Sequence, residues 1–501
     1  MPQADPAIPD LPTDYQCDVL IAGMGPVGAV LAALLGQQDL SVIVVEPEAG
    51  VYPLPRAAHI DHEIMRIFQT LGLIDAIGAH VREAPDYEFR TAQGDTLRRI
   101  VREGVRGASG WPVSYNVYQP GIEEAIRALL ATMPQVRPML GARFTAIVSN
   151  DADGVVAAID VDGQPKRCRA RFLVGCDGAW SPVRESCAMA LDDYAFDEPW
   201  LVLDARVADE SAFPPVNLQV CDPVRPTSFV HMGPGRLRWE FMLRPEETGA
   251  AMMEEASLAT LLAPWRERGA IEVERRAVYR FHGLVASAWR ERSVFIAGDS
   301  AHQMPPFMGQ GLCSGLRDAA NLAWKLAAAV RGEAGDALLD SYQQERDPHV
   351  RDVVEKAIAM GRVVCTFDPV AAAARDAAML ADPVVGTPVP FPPLAQGCIL
   401  PGTPAAGMIF PQAVDDAAGM RLDDLLGQGA WLLHDATGVT AAPSGVAAFA
   451  IADLPPVLGA QVSAWLADVG AEAVLVRPDR YVFGTGAPAT LIAAYAGALR
   501  S

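Results

Sequence analysis

Residues Asp18 to Glu46 read DVLIAGMGPVGAVLAALLGQQDLSVIVVE. Val19, Leu20 and Ile21 form an apolar, β-branched run, the pattern of a strand buried on both faces. Gly23, Gly25 and Gly28 follow as G-x-G-x-x-G, with Pro26 inside the motif. The first glycine permits a tight turn, the second lets a pyrophosphate approach the backbone, and the third lets a helix pack close to the strand. A helix expected over Val27–Leu35 would aim its N-terminal amides at that pyrophosphate. A second apolar strand, Ser41–Val45, ends in Glu46, where a carboxylate can accept from ribose hydroxyls. Strand, turn, helix, strand and acid in register predict dinucleotide binding.

The 501-residue chain has room for two or three domains. Its composition, 51% hydrophobic and 20% charged, is that of a soluble protein. A formal net charge of −21 disfavours nucleic acid and anionic membrane surfaces as partners. No stretch reaches the roughly 20 uninterrupted apolar residues of a membrane span. The acidic, Pro-rich start MPQADPAIPDLPTDYQ has neither a basic nor an apolar signal region, so the cytoplasm is the expected compartment. Eight scattered cysteines show no CxxC or zinc-like spacing, so neither a structural disulfide nor a metal site is expected.

Two further landmarks lie downstream. RFLVGCDGAWSPVR, Arg171–Arg184, runs a buried strand into Asp177-Gly178. SVFIAGDSAHQMPPFMGQGLCSGLRDAANLAWKLAAAV begins at Ser293 and runs a strand into Gly298-Asp299, then a loop with His302, Pro305 and Pro306, then Gly309, Gly311 and a helix over Leu316–Val330. Between them, strand-like segments from about 188 to 290 predict an inserted sheet. Asp368–Gly407, rich in Pro, Ala and Gly, reads as a linker or arm. The tail shows a βαβ-βα order.

Together these motifs resemble the FAD-dependent aromatic hydroxylases, the single-component flavoprotein monooxygenases. GMGPVG with Glu46, CDGAWSPVR and AGDSAHQMPPFMGQGLCSGLRDAANLAWKL stand in that family's order. RAAHIDHEIMRIFQTLGL, VCDPVRPTSFV, RLRWEFMLRPEE and LLDSYQQERDPHVR are similar to the 3-(3-hydroxyphenyl)propionate hydroxylase branch, and VLVRPDRYVFG to the thioredoxin-like C-terminal domain of phenol hydroxylases. The implied fold is α/β: a three-layer, Rossmann-like FAD-binding domain over 1–187 and 291–365, a substrate sheet over 188–290, an arm over 366–407, and a thioredoxin-like domain without redox CxxC over 408–501.

The resemblance implies FAD held by Gly23, Gly25, Pro26, Gly28, Glu46, Arg56, Gln119, Asp177, Gly178, Gly298, Asp299, Pro306, Gly309, Gly311 and Leu312. NAD(P)H would dock transiently, since no second G-x-G-x-x-G exists. With O2, reduced flavin would form a C4a-hydroperoxide that hydroxylates a phenolic ring, possible substrates being a hydroxyphenylpropanoid acid, another phenol or a fused polycyclic aromatic. A base near the phenol would speed this step. Asp61 is the first candidate, with His62 and His302 behind it; Pro305 and Pro306 would set a carbonyl at the ring edge. His231 and Trp239, on the inserted sheet, are candidate substrate contacts, whereas Arg238 points to the opposite face and reads as solvated. Relatives carry Asn where this chain has Cys313, which removes an amide from the flavin side. A small aromatic molecule is the expected partner, with a homodimer left open. A halogenase would need Trp-x-Trp, which is missing. An FAD oxidoreductase without oxygen insertion and a non-catalytic FAD-binding protein stay open.

Overall fold

A computed structural model describes residues 13–388, 391–435 and 445–500. The first twelve residues of the acidic N-terminus lie outside that range. Tyr15–Ala22, apolar and buried from Val19 onward, pairs in parallel with Val42–Glu46 on one side and Gln164–Gly175 on the other. The sheet continues through Val294–Ile296 and Arg290–Glu291 beyond Gln164–Gly175, and through Val136–Leu140 beyond Val42–Glu46. Helices Pro26–Gly36 and Gly311–Val330 pack against each other over it. Antiparallel strands Ala142–Asp151 and Gly154–Val161 extend from the first half of Gln164–Gly175.

The register of these parallel strands brings the three motifs together. Ala22 stands opposite Gly175, and Gly175 opposite Ile296, so three buried strands end at one edge of the sheet. The turns beginning Gly23, Cys176 and Gly298 therefore emerge side by side, although up to 275 residues apart in sequence.

The middle sheet has nine strands in the order His302–Gln303, Ile271–Ala286, Leu191–Val207, Arg236–Met242, Thr227–His231, Asn217–Val220, Tyr87–Arg90, Thr96–Ile100 and Val384–Gly386. Segments outside 188–290 thus complete it. The arm is not irregular throughout: it contains helix Pro369–Ala381 as well as Val384–Gly386. One face of the sheet is apolar. Leu201, Leu203, Phe229, Leu237, Trp239 and Phe241 pack beneath helix Glu255–Arg266 through Leu258, Leu262 and Trp265. Strand alternation turns Asp204, Arg238 and Glu240 to the other face. There Arg238 is buried rather than solvated. Its guanidinium pairs with Asp204 at 2.6 Å and donates to the carbonyls of Pro55 and Arg56 at 3.0 and 2.8 Å. Arg275 repeats the pattern on Asp204 and Pro55.

The tail forms a four-stranded sheet, Val446–Ala450, Ala430–His434, Ala473–Val476 and Val482–Thr485, with the first pair parallel and the others antiparallel. Buried ion pairs fasten it to the rest. Glu345 of helix Asp336–Val364 receives Arg477 at 2.7 Å and Lys325 at 2.8 Å, and Asp423 receives Arg66 at 2.6 Å and Arg480 at 3.0 Å. No single helix among the described residues is long and apolar enough to cross a membrane.

Candidate active site

At the sheet edge, Gly23 has φ +96°, and a Cβ there would collide with the Cys176 carbonyl. A Cβ on Gly28 would strike the Gly23 carbonyl, so both positions require glycine for backbone packing. Gly25 differs: nothing lies within 4 Å of where its Cβ would stand. It caps helix Pro26–Gly36, whose first turn contains no acidic residue and no side-chain cap. Bare amides and open space together fit a pyrophosphate. Glu46 accepts from Met24 N at 2.7 Å and Glu48 N at 2.9 Å, which holds its carboxylate at the turn with lone pairs to spare for a ribose.

Contact between the motifs is direct. Gly178 N donates to Ser300 Oγ at 3.0 Å, and Ser300 Oγ donates to Asp177 Oδ1 at 2.9 Å. Asp177 also accepts from the Ser181 hydroxyl and from Val183 N at 3.0 Å. Its carboxylate is therefore a brace for the loop and the helix Pro182–Ser186 rather than a free arm for the cofactor. Gln119 is similar: its Oε1 accepts from Arg56 N and Ala57 N at 3.1 and 2.6 Å, and its Nε2 donates to Glu123 at 2.7 Å. It holds the loop that carries Arg56. The Arg56 head itself is exposed, lying over the Tyr52 ring at 4.9 Å. Asp299 is exposed beside these turns. The surrounding protein pushes its carboxyl above the usual value, against the pull of His302 and Arg56.

Behind this cleft, Asp318 Oδ2 accepts from Gly298 N at 3.1 Å and pairs with His302 Nε2 at 2.6 Å, while Oδ1 takes Arg346 at 2.9 Å. His302 is thus tied to the carboxylate that holds Gly298 N. Pro306 directs its carbonyl to Gly309 N at 2.8 Å, which leaves Pro305 as the proline able to offer one to a ring. Gly311 and Leu312 begin the long helix, again without a side-chain cap. The Cys313 thiol is buried against the carbonyls of Gly309 and His59, at 3.8 and 4.0 Å.

A cavity of about 590 Å³ adjoins this loop. Phe307, Met308 and Gln310 form part of its wall, with His59, Asp61 and His62 from one segment, Tyr87, Arg98 and Ile100 from the middle sheet, and Arg102 from the turn after its Thr96–Ile100 strand. Met360, Phe391, Met408, Ile409 and Tyr481 complete an apolar enclosure to which the arm and the C-terminal domain contribute. His59 is held by Gly309 O at 3.1 Å and Ser114 Oγ at 2.7 Å, and burial pulls its imidazole down to about 4.

Asp61 is placed in this wall but not as a free base. Its Oδ1 caps helix His62–Thr70 through Glu63 N at 3.0 Å, and its Oδ2 takes Arg317 Nη2 at 2.6 Å. Burial opposes its charge, yet Arg317 wins and holds it well below the usual carboxylate range. His62 lines the cavity and carries no hydrogen bond among the described residues; its Nδ1 is buried and unpartnered. His231 and Trp239 do not line the cavity. Both belong to the opposite face of the sheet, Trp239 in the core under helix Glu255–Arg266 and His231 beside Phe229, with Nε2 at 2.8 Å from the Pro214 carbonyl. The period of two along each strand sends them away from the flavin side.

Arg317 is the residue that sequence reasoning passed over. It joins Asp61, Glu63 at 2.8 Å and Gln310 Oε1 at 3.1 Å, and its guanidinium lies 4.4 Å from the centre of the Phe391 ring. The available signal was a charged Arg317-Asp318 pair inside an apolar helix, where each charge must find a partner.

A family model described as an FAD binding domain matches residues 16–357. A probable NADH-specific resorcinol 4-hydroxylase of Rhodococcus jostii is 37% identical over 505 residues, covering 96% of this chain and 94% of the relative. The chain belongs to the FAD-dependent aromatic hydroxylases. A 3-(3-hydroxy-phenyl)propionate/3-hydroxycinnamic acid hydroxylase of Mycobacterium sp. is 37% identical to this hydroxylase over 438 residues, 83% of this chain and 75% of that one. Among solved structures, aklavinone-11 hydroxylase with FAD and aklavinone superposes with a TM-score of 0.80 at 24% identity, covering 97% of this chain and 100% of that one. The flavin-dependent monooxygenase PieE gives 0.79 at 21%, also over 97% and 100%. At these identities the likeness speaks for the fold of the hydroxylase.

Proposed function

We propose that this hydroxylase uses a reduced nicotinamide and O2 to add one hydroxyl to the ring of a phenolic substrate held in the cavity beside Phe307–Gln310. The observation that carries this reading is the enclosure: one wall of the cavity is the loop that follows Gly298-Asp299 in the cofactor cleft, and the rest is largely apolar. FAD, when bound, supplies the oxygen activation and electron transfer. Gly25 and the bare amides of the helix behind it would receive its pyrophosphate, with Gly23 and Gly28 keeping turn and helix packed; Glu46 would take its ribose, and Arg56, Asp299 and the amides at Gly309–Leu312 its remaining polar groups. Phe307, Met360, Phe391 and Ile409 would help keep water from the ring.

His62 is the proton acceptor for the phenol in this reading, because Asp61 is committed to Arg317 while His62 is not. Deprotonation makes the ring carbon more nucleophilic. The C-terminal domain is read as thioredoxin-like on its strand order and as structural, since it has no CxxC. Free thiols throughout the described chain suit a reducing, cytoplasmic setting.

The test is a panel of simple phenols, phenolic acids and fused aromatics with the FAD-loaded protein. Substrate-stimulated NAD(P)H oxidation with a product heavier by one oxygen supports ring hydroxylation. Oxidation that yields no hydroxylated product with any of them contradicts it and favours an oxidoreductase without oxygen insertion.

A further inference from the structure

The cavity wall holds positive charge that the protein does not balance. Its two carboxylates, Asp61 and Glu63, are both bound by Arg317. Arg106, at the exposed rim, pairs with Asp416 at 3.0 Å. Arg98 and Arg102 have no carboxylate partner among the described residues, and the Nε of each is buried without an acceptor. Both come from one element, the Thr96–Ile100 strand and the turn that continues it. The Arg102 guanidinium lies over the Tyr87 ring at 4.9 Å, and burial lowers its pKa against the smaller pull of Tyr87 and Asp86. A half-buried guanidinium without a counter-ion is costly unless a ligand supplies the missing charge.

Size points the same way. A cavity of about 590 Å³ is in the range that encloses a drug-sized molecule, far more than one dihydroxybenzene ring. We propose that the substrate carries a carboxylate on a side chain, and that Arg102, with Arg98 beside it, binds that carboxylate while the phenolic ring lies by Phe307–Gln310. Arg102 is then a specificity-determining residue: planar, fixed on an aromatic face, and able to offer paired N–H donors to a carboxylate. The ring end of this inference rests on the hydroxylation proposed above; the anion end does not.

The test uses FAD-loaded enzyme with a hydroxyphenylalkanoic acid and its primary amide, which differ only in charge. Binding is read from the perturbed flavin absorbance before any nicotinamide is added, and kcat/KM from the product formed afterwards. The acid should bind about tenfold or more tightly than the amide, the range of a charge-assisted hydrogen bond. Arg102→Met should erase most of that acid-to-amide ratio, Arg102→Lys should keep part of it, and Arg98→Met should erode it less. A ratio near one in the unaltered enzyme overturns the proposal, as does a ratio unchanged by Arg102→Met in protein that still holds FAD. Preferential, Arg102-dependent binding of the acid without hydroxylated product leaves the anion site standing and removes the hydroxylation reading. Equal binding and hydroxylation of acid and amide does the reverse.

Discussion

Arg317 Nη2 donates to Asp61 Oδ2 at 2.6 Å, and both side chains are buried in the cavity wall. Asp61 is therefore already ionised and already partnered before any substrate arrives. Asp61→Asn preserves helix capping, because Asn caps as well as Asp, but removes the charge. It should leave FAD bound, lower stability by about 2 kcal/mol in urea denaturation, and remove no ionisation from the pH–rate profile. Loss of an ionisation near neutrality in that profile would restore Asp61 as the base. Since its folded pKa is depressed, Asp61 contributes its full stabilisation above its unfolded pKa of about 4 and loses it progressively as pH falls from there toward the depressed folded value.

His62→Asn tests the remaining acceptor. At neutral pH, hydroxylation should slow about 10²-fold, the lower end for a positioned base, with FAD still bound. The deficit should shrink as pH rises toward about 10, where a phenol ionises unaided. Rapid-quench measurement of product across that pH range checks it, and a pH-independent deficit would assign His62 to packing on Gly107 instead.

Gly25→Ala and Gly28→Ala separate cofactor binding from folding. The first adds a methyl into open space at φ −67°, so the FAD-free protein should melt unchanged while FAD affinity falls tenfold or more, about 1.4 kcal/mol. The second drives a methyl into the Gly23 carbonyl, so it should lower the melting temperature of the FAD-free protein. Calorimetry with and without FAD reads both.

Glu345 joins the C-terminal domain to the FAD domain. Burial opposes its charge, but Arg477 and Lys325 hold it at about 2. A depressed carboxylate stabilises the fold above its unfolded pKa of about 4.3 and loses that contribution as pH falls through the folded value. Arg477→Met should cost about 3–5 kcal/mol at pH 7, since it leaves buried carboxylates under-paired. The loss should narrow between pH 4 and pH 2 as Glu345 protonates in both proteins; urea unfolding over that range measures it.

The cofactor side was legible because it is written in backbone requirements. Gly23 and Gly28 are fixed by collisions with carbonyls, and the parallel register Ala22–Gly175–Ile296 follows from three runs of buried aliphatic residues. Side-chain roles were less legible, because a carboxylate or amide is equally at home bracing a loop or touching a ligand. Asp177 and Gln119 do the former. Trp239 and His231 could be placed on a face, but nothing local shows which face of the sheet meets the flavin domain. That is set by Arg238 and Arg275, which Asp204 holds in place, donating to the carbonyls at Pro55 and Arg56. The cavity itself is assembled from eight separate segments, with Phe391 and Tyr481 arriving from an arm and a domain that carry no catalytic motif.

The decisive measurement is the fate of isotopically heavy O2 in FAD-loaded enzyme turning over a phenolic substrate. One heavy oxygen atom in the ring product, formed one for one with nicotinamide oxidised, is the expected result. Nicotinamide oxidation with all of the heavy oxygen recovered as hydrogen peroxide, and none in any aromatic product, would contradict it.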